Sequence, residues 1–361
     1  MKQQNQAPAG LYIVTETYHP EGRARGSTIW HWDGSKVKLL VPYSSLVTAI
    51  GSHKGQVYVY HKCSLGSVSR LVLEGGQEAR LEEIAKRSYF YTIKNGIETP
   101  GKVIDFCSLS GKLYDLRNKG FAAPPGQSRK EEPRYESVYY IVKTLEDPDG
   151  NRPIARIFPD TSNLHGKLFG FQGRLQYVGL VSWLHGGGMI FDISNDPNLK
   201  RPTRLTDFWY PEITAVCVDD KVCVAVEADQ GKRGIFFLKN GQAEQLATRG
   251  YGVNALHFHN GILYDAGRRY EGAWWDKKPG EVFETIKDTE GKNPIARRSS
   301  PVKFLVSGQD GRLYDAGKYG LGLTLEDRII HVFEDPNETE TEEWRKHKPE
   351  ITHIISHNTK Y

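Results

Sequence analysis

Leu313-Tyr314-Asp315-Ala316-Gly317 repeats, residue for residue, the earlier Leu263-Tyr264-Asp265-Ala266-Gly267, and Leu113-Tyr114-Asp115 begins the same way. Each copy follows a short apolar run and a glycine-containing turn. Two apolar runs joined so tightly read as antiparallel strands in a hairpin. Working outward from these copies, such turns fall at Ser52–Gly55, Ser108–Gly111, Phe171–Gly173, Asp219–Asp220, Phe258–Gly261 and Gly308–Gly311. A seventh arises only when the ends are joined. Ile351–Asn358 reads as a first strand with no successor, and Leu11–Thr15 as a second strand with no predecessor.

Strand pairs recurring at a period of roughly 40 to 60 residues indicate a β-propeller, in which each hairpin supplies the two inner strands of a blade. The expected fold is all-β: a seven-bladed propeller closed by pairing of the N- and C-terminal strands. Closure removes two strand edges that would otherwise invite aggregation. Six blades is the alternative, because Ser88–Thr99 is hard to place. Residues 1–10 read as a flexible tail and 11–361 as one domain. Its blades span approximately 351–361 with 11–43, then 46–99, 102–160, 162–208, 212–250, 251–300 and 301–349. Outer strands show at Thr28–Trp32, Val37–Val41, Ser67–Leu73, Tyr139–Val142, Met189–Ile193, Gly234–Leu238 and Arg328–Phe333. A further echo, Asn151–Arg156 against Asn293–Arg297, precedes two of the new first strands. Helical periodicity is nearly absent, with one short turn of helix expected at Glu342–Lys348.

Composition fits an ordinary globular chain: 361 residues, 38% apolar, 25% charged, net charge +4. Such a charge permits an anionic partner without requiring one. Cys63, Cys107, Cys217 and Cys223 lack metal-site spacing and are too few for a disulfide scaffold, so reduced, buried thiols are expected. Met1–Gly10 is polar, unlike a secretory signal, and no apolar run is long enough to span a bilayer. A soluble cytoplasmic protein without membrane insertion is the expectation.

The chain resembles the β-propeller superfamily, with its blades organised as in WD40 proteins. Spacing and hairpin pattern carry the resemblance over nearly the whole chain. The Trp-Asp dipeptide of WD40 repeats is missing from blade ends, since Trp32-Asp33 and Trp275-Asp276 share no repeat position. Kelch double glycines and the sialidase Asp-box are absent too. The Leu-Tyr-Asp-Ala-Gly repeat is similar to that of uncharacterised prokaryotic and archaeal propellers, and implies no function.

Asp115, Asp265 and Asp315 could be catalytic acids or metal ligands. Three copies at one repeat position instead suggest structural carboxylates that accept hydrogen bonds from neighbouring backbone amides. His53, His259 and His357 precede hairpin turns, and His257 and His353 lie further up first strands. Alternation places His257 and His259 on one strand face. Two ligands without a third are a weak metal site, so no metal and no cofactor are expected. Gly186-Gly187-Gly188 precedes a strand rather than a helix, which favours a hairpin turn over a phosphate loop. No catalytic residue is assigned. Glu227 and Asp229 are the only tolerable carboxylate pair.

The connections between second and third blade strands share one face, and there cations outnumber acids by sixteen to ten. The expected binding residues on this face are Arg23, Arg25, Arg117, Lys119, Trp183, Arg268, Arg269, Trp274, Trp275 and Lys318. Arginine beside tryptophan and tyrosine is what binding hot spots are built from. Two adjacent indoles on a loop call for a partner or a cover. The 22-residue stretch Leu116–Ser137, with five cations, is the most mobile element expected. The favoured function is a non-enzymatic scaffold that binds a protein or other anionic partner through this face. A carbohydrate-active hydrolase or lyase with its site at the channel mouth, and a nucleic-acid or ribosome-associated factor, are the alternatives.

Overall fold

The computed structural model describes residues 6–18, 25–62, 66–73, 79–86, 102–121, 136–150, 152–157, 167–179, 189–195, 203–204, 212–227, 233–239, 242–269, 280–298, 300–317, 321–324, 328–330 and 350–358. The strands form seven four-stranded antiparallel sheets in a propeller-like, all-β arrangement.

Sheet 1 orders β28 (Glu350–His357), β1 (Gly10–Tyr18), β2 (Arg25–Trp32) and β3 (Val37–Ser45), so strands from opposite ends of the chain pair within it. Sheet 2 runs β4 (Val47–His53), β5 (Gln56–His61), β6 (Ser67–Leu73), β7 (Ala79–Lys86). Sheet 3 runs β8 (Lys102–Leu109), β9 (Lys112–Phe121), β10 (Glu136–Lys143), β11 (Ala155–Ile157). Sheet 4 contains β12 (Lys167–Phe171), β13 (Arg174–Gly179), β14 (Met189–Asp192) and β15 (Thr203–Arg204). Sheet 5 contains β16 (Glu212–Val218), β17 (Val222–Glu227), β18 (Arg233–Lys239) and β19 (Gln242–Thr248). Sheet 6 follows with β20 (Tyr251–His259), β21 (Ile262–Arg269), β22 (Gly280–Glu284) and β23 (Ala296–Arg298). Sheet 7 ends the series with β24 (Phe304–Ser307), β25 (Leu313–Ala316), β26 (Leu321–Leu323) and β27 (Arg328–Ile330).

Local sequence explains both strands and turns. Second strands are apolar without alternation, as in Val222-Cys223-Val224-Ala225-Val226, because sheets pack against both of their faces. Alternation then divides the strand between two cores. Val222, Val224 and Val226 join a cluster with Phe169, Val178 and Ile190 of sheet 4. Cys223 and Ala225 join Tyr251, Val253 and Phe283 of sheet 6. Outer strands such as β7, Ala79–Lys86, bury far less and carry charge. Hairpins turn through paired positive φ values at Lys54-Gly55, Ser110-Gly111, Gln172-Gly173 and Asn260-Gly261, the geometry of the turn that matches strand twist.

Seven apolar clusters lie between successive sheets. One of them unites Leu11, Ile13 and Ile351 of sheet 1 with Val306, Tyr314 and Leu321 of sheet 7. First strands neighbour one another in sequence, β4 to β8 through β20 to β24, and both β24 and β4 also touch β28. Five sheets shift register near the start of the first strand, which leaves Thr48, Ile104, Thr214, Asn254 and Thr352 as extra residues.

Two expectations need correction. Residues 6–10 are not a free tail: Ala7 is buried, its amide donates to Gly55 O at 2.9 Å, and Gly10 already pairs in β1. Gly10 has φ +149°, and a Cβ there would meet His31 and the Trp32 carbonyl. The Leu116–Ser137 connection is shorter than expected, because ladder pairing carries β9 to Phe121 and starts β10 at Glu136. The helix turn expected at Glu342–Lys348 and the stretch Ser88–Thr99 lie outside the described residues. Among the described residues no helix is long and apolar enough to cross a membrane.

Candidate functional site

Asp115, Asp265 and Asp315 are buried in the middle of β9, β21 and β25. Their partners among the described residues are side chains rather than the backbone amides expected. Thr144 donates to Asp115 at 2.9 Å, Thr285 to Asp265 at 2.7 Å, and Thr324 to Asp315 at 3.1 Å. Each threonine also gives its amide to the carbonyl at the start of the second strand: Leu113, Leu263 or Leu313. A guanidinium arrives from the preceding sheet. Arg249, just past β19, grips Asp265 through Nε and Nη2 at 2.7 and 2.6 Å. Arg298, at the end of β23, grips Asp315 the same way at 2.8 and 2.7 Å. Two parallel charge-assisted bonds fix orientation as well as distance. The Tyr251 hydroxyl also donates to Asp265, and its ring stacks on Phe283. Burial, then the Asp265 charge, raises the Tyr251 pKa, so the phenol stays a donor. In the sequence Arg87 holds the corresponding place before Asp115, but it lies outside the described residues.

A second set of joints sits beside the hairpin turns. His357 Nδ1 lies 2.6 Å from Ser52 Oγ, His53 Nδ1 2.8 Å from Ser108 Oγ, and His259 Nδ1 2.9 Å from Ser307 Oγ. Every pair links one sheet to the next. Burial lowers all three imidazole pKa values, so these histidines work as neutral rings. His357 Nε2 and His31 Nε2 meet the carbonyls of Ala7 and Ala9, which anchors the segment before β1. The extra residues of the first strands reach across too. Thr48 donates to Val103 O and Asn254 to Val302 O, both at 2.9 Å. His353 Nε2 meets Thr48 O at 3.1 Å, and burial, then Lys167, lowers its pKa to about 4.

His257 differs from the repeated joints. It shares a strand face with His259, and its Nε2 lies 2.7 Å from the same Ser307 Oγ. Burial, reinforced by His259, lowers its pKa to about 4. Among the described residues no group of three or more metal-type side chains could hold an ion. Cys107, Cys217 and Cys223 are buried free thiols, pushed by burial up to about 12, 11 and 12 respectively. Cys63 is outside the described residues.

The expected binding face is only partly described. Arg117 is buried rather than displayed, and Nη1 donates to Gly150 O at 3.2 Å. Arg25, Lys119 and Arg269 lie in β2, β9 and β21 instead of loops, and Arg268 is exposed on β21. Arg23, Trp183, Trp274, Trp275 and Lys318 lie outside the described residues. Glu227 ion-pairs with Arg233 at 2.6 Å, which removes one cation from the surplus and half of the candidate carboxylate pair. Asp229 is outside the described residues. Thr144, Thr285, Thr324, Arg249 and Arg298 were missed by sequence reasoning. Aligning Val142–Arg156 with Phe283–Arg297 exposes the threonines, because both stretches share Thr, Asp, Gly and Pro-Ile-Ala-Arg at matched places.

No protein-family model and no curated protein matches the chain. Solved structures do resemble it in fold. A candidate 6-phosphogluconolactonase from Bacteroides uniformis superposes with TM-score 0.53 at 11% identity, covering 98% of each chain. A second such candidate, from Bacteroides fragilis, gives 0.50 at 12%, covering 99% of this chain and 98% of its own. Acylaminoacyl peptidase from Pyrococcus horikoshii gives 0.51 at 8% over 90% of this chain and 51% of its own. At such identities the likeness concerns the fold alone, which is all-β and propeller-like.

Proposed function

We propose that the seven sheets form one closed, seven-bladed ring that serves as a binding scaffold for a protein or other anionic partner. Seven inter-sheet cores and the pairing of β28 with β1 support the ring. The observation that carries the scaffold reading is the repetition of the polar residues. The Asp–Thr bonds, and the His–Ser bonds of His357 and His53, recur from sheet to sheet, so they serve the frame rather than one reaction centre. A frame stiffened this way suits the display of loops, and in the sequence Arg23, Trp183, Trp274, Trp275 and Lys318 fall between second and third strands. Buried reduced thiols suit a reducing cytoplasm.

The test replaces Arg268, Arg269, Trp274 and Trp275 with alanine. The melting temperature stays within a few degrees, while cross-linked partner peptides at this face disappear. Unchanged cross-links at the same sites overturn the reading. If binding persists in the parent protein only without nuclease, and falls steeply with salt, the partner is nucleic acid instead.

A further inference from the structure

The joint between sheets 6 and 7 contains one histidine more than its counterparts. Among the described residues, two further His–Ser joints link one sheet to the next: His357 with Ser52, and His53 with Ser108. The residue two places before each of those histidines is Ile355 or Gly51, so the joint itself needs no second ring. In sheet 6 that place is His257, and its Nε2 converges with His259 Nδ1 on the Ser307 hydroxyl, at 2.7 and 2.9 Å.

Donor bookkeeping assigns the protons. The Asn260 side-chain amide lies 3.1 Å from His259 Nε2, and an amide N–H only donates. His259 therefore accepts at Nε2 and carries its hydrogen on Nδ1, which points to Ser307 Oγ. Having accepted there, the serine places its own hydrogen on His257 Nε2. One imidazole receives the hydroxyl proton while the other steadies the oxygen left behind. Ser307 and His257 are both partly exposed, whereas His259 is buried.

We propose that Ser307 is a nucleophile toward small carboxylic esters, with His257 as its general base and His259 as the donor to its oxygen. Ser307 Oγ bonds to the acyl carbon as its proton passes to His257 Nε2. The ester C–O bond then breaks, and the departing alcohol takes that proton. A water that gives a proton to the same imidazole attacks the acyl-serine, the Ser307 ester bond breaks, and the proton returns to Ser307 as the acid leaves. Because burial holds the His257 pKa near 4, the ring is unprotonated throughout the neutral range.

The experiment treats the full chain with a fluorophosphonate probe and maps the adduct by mass spectrometry, alongside hydrolysis of p-nitrophenyl acetate. The expected adduct is on Ser307, with the rate flat between pH 6 and 8. His257→Phe should slow labelling by about 100-fold, the usual scale for a lost general base. His259→Phe should slow it less, and Ser108→Ala, at a single-histidine joint, should leave it unchanged. Mapping the parent protein requires no variant to fold. Absence of an adduct on Ser307, equal labelling of Ser52 and Ser108, or full reactivity in a folded His257→Phe protein would overturn the proposal.

Discussion

The junction of sheets 3 and 4 and that of sheets 6 and 7 occupy the same place in the repeat but are filled with opposite chemistry. Between sheets 6 and 7, Arg298, Asp315 and Thr324 form a buried charged triad. Between sheets 3 and 4 the matching residues are Ile157, Tyr177 and Ile193, all buried in one apolar cluster. The backbone link survives the exchange: Ile193 donates its amide to Leu175 O at 2.9 Å, as Thr324 does to Leu313 O at 3.0 Å. The three positions change together, because a carboxylate left without its guanidinium would be a bare buried charge. What the fold demands at this place is a filled space, not one particular chemistry. A charged set adds orientation through its paired bonds, and an apolar set avoids desolvating ions.

The largest expected effect concerns the junction of sheets 7 and 1, whose core includes Ile351 of β28. Deleting residues 351–361 removes the first strand of sheet 1 and Ile351 from its core. The truncated protein should unfold or oligomerise, as seen by sedimentation and circular dichroism. A monomer of unchanged stability would refute the ring.

Next comes the charged junction of sheets 5 and 6. Arg249 and Asp265 have fully buried side chains. Asp265→Ala should cost about 3–5 kcal/mol in urea unfolding, since it strands the guanidinium. Tyr177→Phe at the apolar junction should cost under about 1.5 kcal/mol. Equal losses would show that the two junctions are not alternatives. A sharper form transplants the apolar set: Arg298→Ile with Asp315→Tyr and Thr324→Ile should recover most of the stability that Asp315→Tyr alone removes.

Acid should separate the junctions by a smaller margin. The pKa values of His257 and His353 fall to about 4 on folding, so the native state binds fewer protons than the unfolded chain below the ordinary histidine pKa. Stability from these rings is complete above about pH 7 and declines as pH falls from about 6.5 to 4. His353→Phe and His257→Phe should flatten that decline. Lys86→Gln, on an outer strand, should leave it unchanged.

The hairpins were legible because paired apolar runs and glycine turns are local signals, and the terminal strand without a partner pointed to its mate. The aspartates were legible as a repeat, but their partners were not. Thr285 stands twenty residues from Asp265, and Arg249 belongs to another sheet, so nothing local marks either as a ligand. One cation of the expected loop face was overread. Arg117 looked like a surface cation by composition, yet the ladder carries β9 past it and turns its guanidinium toward Gly150.

By itself, the sequence determined strand positions and turn chemistry, because apolar runs and turn geometry act over a few residues. Only the tertiary structure decided which polar side chains meet: Arg298 with Asp315, His357 with Ser52, and His257 with the same hydroxyl as His259. Those meetings depend on how one sheet leans on the next. Such contacts span tens to hundreds of residues along the chain, beyond the reach of any local periodicity.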